Sequence, residues 1–254
     1  MFHQERQKKI LEYIRQKPSV SVTELSDIFK VSTVTIRKDL NKLNGDGKIE
    51  RTHGGAMSLN KSSYEETEDA KESINIAGKQ EIAAKALPLV EEGSTILLDA
   101  GSTTLELAKL LVEKKLKGVT IITYALNIAN VFSHSKEYNL VMLGGQFRHG
   151  MMSFVGPYTV QMLKGLHADR GFLGINGYTL EEGLTTPNPY EAEVKRNIVA
   201  RSKECYLMAD TNKYGKAYMA KVADISDIDG IITNAGLSPM IQSSLEERGV
   251  RIFC

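Results

Sequence analysis

Residues 31–40 read Val-Ser-Thr-Val-Thr-Ile-Arg-Lys-Asp-Leu, and residues 51–56 read Arg-Thr-His-Gly-Gly-Ala. The first run spells an amphipathic helix. Ser32 is a good N-cap, because its hydroxyl can accept from an orphan amide of the first turn. Ile36, Leu40 and Leu43 recur at i, i+4 and i+7, which stacks them on one face. With Ile36 inward and about 100° per residue, Val34, Lys38 and Asn41 point away from the core. Arg37 lies on the flank, and Thr33 and Thr35 sit near the helix start. Such a helix suits a DNA groove, where the N-terminal part of a recognition helix meets base edges and phosphates. On spacing alone, the two cations serve equally well as a solvated helix face.

The flanking segments favour the groove. Residues 3–17 place Ile10, Leu11 and Ile14 at helical spacing, and Pro18 ends that helix. Ser21-Val-Thr-Glu24 has capping-box spacing, with Leu25, Ile28 and Phe29 following on one face. Asn44-Gly-Asp-Gly47 is turn chemistry. Lys48–Arg51 and the segment after His53-Gly-Gly55 can pair as a small hairpin. Three short helices and a hairpin make a winged helix-turn-helix over residues 1–57. The candidate DNA contacts are Ser32, Thr33, Val34, Thr35, Arg37, Lys38 and Asn41 on the helix, with Arg51 and His53 on the wing. Arg37 and Lys38 can supply one base and one phosphate contact, in either assignment.

Across 254 residues the net charge is only +1. Residues 1–56, however, carry 11 Lys/Arg against 7 Asp/Glu, so the positive charge sits with the candidate reading head. Cys205 and Cys254 form no CxxC pair, which fits a reduced, cytoplasmic protein. The opening MFHQERQKKI lacks the apolar core of a signal peptide, and no run of about 18 apolar residues offers a membrane span.

Residues 58–73 are polar and read as a linker. From residue 74 to 254, helical and strand patterns alternate. Ile82, Ala83, Ala86, Leu87 and Val90 make a helical stripe that Pro88 should kink or end. Apolar runs at 95–99, 120–123, 140–143, 171–174, 206–209 and 230–233 read as buried strands. Continuous apolar strands alternating with helices predict a mainly parallel α/β sheet.

Leu98-Asp-Ala-Gly-Ser-Thr-Thr104 ends one such strand and opens a helix. Gly101 lets a ligand approach the backbone. Ser102, Thr103 and Thr104 offer hydroxyls and free N–H groups at a helix N-terminus, a natural phosphate cradle. Thr103 and Glu106 also fit a capping box, in which case the hydroxyls only cap the helix. Further strand ends that can line the same crevice hold Tyr124, Gly144 with Arg148, Asn176 with Gly177, and Lys213. Glu191 and Lys195 share one helix face, and spacing alone favours a surface ion pair.

The two opening runs resemble the N-terminal module of the DeoR family of bacterial transcription regulators. That family usually has a second Arg where this chain has Lys38, which keeps the charge but loses bidentate geometry. The resemblance extends through Leu-Asp-Ala-Gly-Ser-Thr-Thr, Leu-Asn-Ile-Ala-Asn (126–130), Leu-Gly-Gly (143–145), Ser-Phe-Val-Gly-Pro (153–157), Gly-Ile-Asn-Gly (174–177), Gly-Leu-Thr-Thr (183–186), Glu-Ala-Glu-Val-Lys-Arg (191–196) and Asp-Thr-Asn-Lys (210–213). These are similar to the DeoR-type sensor domain, which has the fold of ribose-5-phosphate isomerase.

The resemblance implies a phosphorylated sugar, amino sugar or polyol as effector. Asp99, Ser102, Thr103, Thr104, Arg148, Asn176, Glu191 and Lys213 would line its site. Family members commonly have Asn where this chain has Tyr124, so a phenol there would reshape the sugar end. The implied protein is a repressor of a carbohydrate catabolic operon, acting without a cofactor as a homo-oligomer (dimer or tetramer) on operator DNA.

The competing reading is an active isomerase fused to a DNA-binding module. Glu191, Asp99 or Asp210 could do its acid–base work. However, Asn176 lies where the isomerases carry an Asp-Gly-Ala-Asp-Glu segment, and an amide does not exchange protons usefully. Neither metal chemistry nor a nucleophilic serine is expected. The histidines His3, His53, His134, His149 and His167 make no HExxH-type pair, and Ser153 lacks a GxSxG elbow.

Overall fold

Residues 3–15, 20–46, 48–52, 54–58 and 67–254 are described in a computed structural model. The chain divides into two compact units, within residues 1–64 and 65–254. The first contains α1 (His3–Arg15), β1 (Val20–Ser21), α2 (Val22–Phe29), α3 (Thr33–Gly45), β2 (Ile49–Thr52) and β3 (Gly55–Ser58).

Local chemistry sets these boundaries. The Ser21 hydroxyl accepts from the Glu24 amide at 3.0 Å and the Glu24 carboxylate accepts from the Ser21 amide, forming the expected capping box. Lys30 adopts a left-handed conformation (φ 53°) that turns the chain out of α2. Ser32 then caps α3 by accepting from the Thr35 amide at 3.2 Å. Ile10, Ile14, Leu25, Ile36, Leu40, Leu43 and Ile49 fill the core. The hairpin β2–β3 forms as expected, and β1 joins it to give the order β1-β3-β2.

Two details differ from the sequence reading. Ile28 is 44% exposed, because Phe29 at i+4 from Leu25 occupies the core edge and leaves Ile28 on the rim. Asp39 is fully buried; Arg6 Nε donates to it at 2.6 Å and His3 Nε2 lies 3.0 Å away, tying α1 to α3.

The second unit starts earlier than residue 74. Residues 68–72, assigned to the linker, form α4 (Glu68–Glu72), on which Glu68 is 1% exposed. The linker reading is therefore too long at its C-terminal end. Its polar composition offers no apolar stripe from which a helix could be read. Residues 59–66 lie outside the described residues. Next comes α5 (Ile76–Ala86), burying Ile82, Ala83 and Ala86 and ending before a tighter turn at Leu87–Leu89 that holds Pro88.

The remaining elements are β4 (Thr95–Leu98), α6 (Ser102–Lys114), β5 (Thr120–Thr123), α7 (Leu126–Phe132), β6 (Asn139–Met142), β7 (Gln146–Arg148), β8 (Ser153–Val155), α8 (Pro157–Lys164), β9 (Ala168–Leu173), β10 (Gly177–Thr179), β11 (Gly183–Thr186), α9 (Pro189–Arg201), β12 (Ser202–Met208), β13 (Ala220–Ala223), β14 (Gly230–Ile232), α10 (Pro239–Glu246) and β15 (Arg251–Phe253).

Seven strands form one parallel sheet in the order β15-β14-β12-β9-β4-β5-β6. The six expected strands all belong to it. The short β15 was not foreseen, nor were the β7–β8 hairpin and the antiparallel β10-β11-β13 flap. The chain winds outward from β4 through β5 to β6. It then returns to the other side of β4 and winds out through β9, β12, β14 and β15. The reversal lies between β4 and β9, and a crevice opens at the carboxyl ends of strands flanking such a switch point. Cys205 is buried, Cys254 is exposed, and both are free thiols.

Candidate functional site

Two surfaces hold the predicted residues. On α3, Val34, Arg37, Lys38 and Asn41 are all exposed, while Ile36, Leu40 and Leu43 face inward. Val34 is 58% exposed, an apolar side chain between two hydroxyls and two cations. Among the described residues neither Arg37 nor Lys38 has an ion-pair partner, so both charges are presented outward. Thr33 is half-buried. Ser32 and Thr35 are partly engaged with each other, their hydroxyls 2.9 Å apart. On β2, the Arg51 amide donates to Asn44 at 3.2 Å, and among the described residues its half-buried guanidinium keeps Nη1 without an acceptor. His53 lies outside the described residues.

The second surface is a cleft in the second unit, at the switch point between β4 and β9. Its walls include Gly101, Ser102 and Thr103 from the start of α6, and Gly174–Asn176 after β9. Met208–Asp210 at the end of β12, Glu191 and Lys195 of α9, and Lys213 complete them on one side. Lys71, Ile74 and Lys79 close the other. The cavity itself is small, about 70 Å³, and opens to solvent at its mouth.

Helix α6 enters the cleft without a cap. Gly101 is its N-cap residue and no side chain caps it. Leu105 is the first residue whose amide finds a helical acceptor, the Gly101 carbonyl at 2.9 Å. The amides of Ser102, Thr103 and Thr104 precede it and have no protein acceptor among the described residues. The alternative capping box does not form: Glu106 is engaged by Lys109 at 2.6 Å and Gln80 at 3.3 Å. A 13-residue helix thus points its positive end and free N–H groups into a lysine-rich cleft.

A chain of buried charges stands behind it. Asp99 is wholly buried at the end of β4. Its carboxylate accepts from the Tyr124 hydroxyl, from Lys195 Nζ and, at 2.7 Å, from the Gly174 amide. Lys195 also donates to the Gly174 carbonyl at 3.0 Å and sits 3.2 Å from Glu191. Glu191 in turn accepts from Arg148 Nη1 at 2.9 Å. Burial alone would lower the Lys195 pKa, but Asp99 and then Glu191 reverse that and hold the ammonium above its ordinary range. Burial, and then the Asp99 charge, push the Tyr124 phenol well above its ordinary value, so it stays a donor.

These contacts sort the predicted effector residues. Gly101, Ser102, Thr103, Asn176, Glu191, Lys195 and Lys213 line the cleft together. Glu191 and Lys195 are therefore no surface pair; they are 3% and 1% exposed. Asp99 and Thr104 lie behind the wall, Thr104 with its hydroxyl 2.7 Å from the Asp99 carbonyl. Arg148 is not part of the cleft wall and donates to Glu191, which is. Tyr124 does not line the cleft; it is fully buried and donates to Asp99.

Gly144 and Gly177 are also off the cleft. The Gly144 carbonyl accepts from Thr159 at 2.8 Å. Gly177 is small because a Cβ there would come within 2.4 Å of the Lys216 carbonyl. At Gly101, by contrast, a Cβ would meet nothing nearer than Thr104 Oγ1 at 3.5 Å, so the fold itself does not demand a glycine.

Lys71, Ile74 and Lys79 were not foreseen. Lys79 had a signal: it precedes Ile82, Ala83 and Ala86 on the buried stripe of α5, an odd place for an ammonium. Among the described residues no cluster of three or more His, Cys, Asp or Glu is placed to hold a metal, and no helix is long and apolar enough to cross a membrane.

Comparison with known proteins gives these surfaces a family. Residues 6–62 match the model of the DeoR-like helix-turn-helix domain, and residues 74–235 that of the DeoR C terminal sensor domain. The chain belongs to the DeoR family of transcriptional regulators. Among its relatives is the HTH-type transcriptional regulator GolR of Listeria innocua, 34% identical over 99% of this chain and 98% of that one. GlpR of Haloferax volcanii is 35% identical, covering 99% and 98%, and the transcriptional repressor AccR of Agrobacterium fabrum 31%, covering 96% and 94%.

Solved structures superpose less closely on this DeoR-family chain. Ribose 5-phosphate isomerase from Methanocaldococcus jannaschii gives a TM-score of 0.40 at 18% identity over 55% of each chain. Translation initiation factor eIF-2B from Pyrococcus horikoshii gives 0.44 at 15%, over 95% and 86%. No function is carried over from either.

Proposed function

We propose that this regulator represses genes of carbohydrate catabolism and that a phosphorylated sugar, amino sugar or polyol in the α6 cleft changes its operator affinity. One observation carries the reading. The uncapped N-terminus of α6 opens, at the sheet's switch point, into a cleft where Lys71, Lys79, Lys195 and Lys213 outnumber Glu191 and Asp210. A phosphomonoester supplies negative charge and acceptor oxygens to the amides of Ser102 to Thr104, which have no acceptor among the described residues, and to the Lys79 ammonium. The N-terminal unit, ending near residue 57, binds the operator through α3 and its wing. A homo-oligomer presents two such units to repeated half-sites.

The acid–base alternative is weaker. Asp99 and Glu191 are already neutralised by Lys195 and Arg148, and the Asn176 carbonyl oxygen is taken by the Thr186 hydroxyl at 2.8 Å.

A thermal-shift screen of phosphorylated sugars against their unphosphorylated counterparts tests the reading. A ligand at about 100 times its Kd stabilises by about 2.7 kcal/mol. Ser102→Asp, which sets a carboxylate at the end of α6, should abolish that gain. A shift that is equal with and without the phosphate would refute it. Turnover of a sugar phosphate by the pure protein would favour the enzyme.

A further inference from the structure

Lys79 stands on the buried stripe of α5, is 5% exposed and lines the cleft. Among the described residues its ammonium has one hydrogen-bond acceptor, the carbonyl of Lys71 in α4. A neutral carbonyl is a weak counterpart for a desolvated cation, and a phosphate oxygen is a much stronger one. Burial holds this ammonium below its ordinary pKa, and the carboxylates of Glu68 and then Asp210 oppose that shift without hydrogen-bonding to it.

The helix that Lys79 grips is short and buries an unfavourable group. Five residues have no helical stability of their own. Glu68, on its first turn, is 1% exposed, yet among the described residues neither carboxyl oxygen has a hydrogen-bond donor and Lys71 Nζ is 4.0 Å away. An unsatisfied buried carboxyl works against keeping α4 docked. On the far side, Asn127 reaches Glu72 only at 3.4 Å. Such a helix can be released by a small change in its contacts.

We propose that Lys79 exchanges the Lys71 carbonyl for the effector's phosphate, and that this exchange loosens α4, the first helix after the segment joining the two units. The inference rests on the phosphate reading of the cleft and adds to it a binding residue and a route of transmission. Occupancy is conveyed to the connecting segment as a change in the docking of α4.

Millisecond hydrogen exchange on the full-length protein tests it, with inorganic phosphate as probe and chloride at matched ionic strength as control. Phosphate should slow exchange at the amides of Ser102 to Thr104. It should speed exchange at Lys71 and Ile74, whose amides donate to Thr67 and Lys71 at 3.0 and 3.1 Å. Lys79→Met should exchange fast in α4 with or without phosphate and bind phosphate about tenfold or more weakly, the size of one charged hydrogen bond. Lys79→Arg should restore both behaviours. Protection at α6 with α4 unchanged or slowed overturns the exchange and leaves the cleft reading standing. No response at either place removes both.

Discussion

Lys195 shows how a single residue holds this fold and its site together. It is the shared counter-charge of two buried carboxylates, Asp99 and Glu191. Lys195→Met leaves Asp99 uncompensated and should cost about 3–5 kcal/mol in urea unfolding. Asp99→Asn in the Lys195→Met background should recover part of that loss, because the orphaned charge is gone. Equal stability of wild type and Lys195→Met would show that the pair is not ionised.

Glu68 gives the opposite case. Burial raises its pKa above the ordinary 4.5, so the folded state holds the proton more tightly than the unfolded chain. Wild-type stability therefore falls as pH rises from about 4.5 to the raised value. Glu68→Gln, which cannot ionise, should have the higher Tm at pH 7, and the gap should close near pH 4. A gap that does not change with pH would sink this account. Spacing in the chain put Lys195 on a helix face with Glu191 but could not show that it is buried, and it gave no sign of Glu68, because burial of a charge depends on what the tertiary structure stacks over it.

At the scale of elements, α3 was the most legible, because capping and a 3.6-residue period are local properties. Its outward face makes a clean prediction. Arg37 and Lys38 are exposed, so Arg37→Ala and Lys38→Ala should leave the unfolding free energy within about 0.5 kcal/mol of wild type while weakening operator binding. A base contact, when lost, relaxes preference at one position by about 1–3 kcal/mol. A lost phosphate contact weakens all DNA alike and reduces the log–log salt slope by about 0.9. Comparing operator with random DNA across salt concentrations assigns the two roles, and unchanged operator affinity in both variants would remove α3 as the reading helix. The illegible elements were α4 and the antiparallel flap. Each is short, and each is stabilised by partners distant in sequence.

For the whole molecule, operator and effector must be coupled reciprocally. If the effector weakens operator binding by some factor, operator DNA weakens effector binding by the same factor. Titrations in both directions should agree, and disagreement would mean that the cleft ligand is not the regulating one. The slope of operator affinity against salt should count the neutralised phosphates at about −0.9 each. A slope near zero would contradict a charged reading head.

By itself the chain determined its local periodicities: the capped helices, the hairpin, the six apolar strands and the glycine–hydroxyl run that opens α6. Those features depend on residues within one or two turns of each other. Which side chains share the cleft was decided only by the order of the strands. That order brings β4 beside β9, sets Lys195 under Asp99, and carries Lys71, Ile74 and Lys79 to a pocket otherwise built by residues 100–213. Proximity across the sheet is a product of topology, and no spacing along a linear sequence encodes it directly.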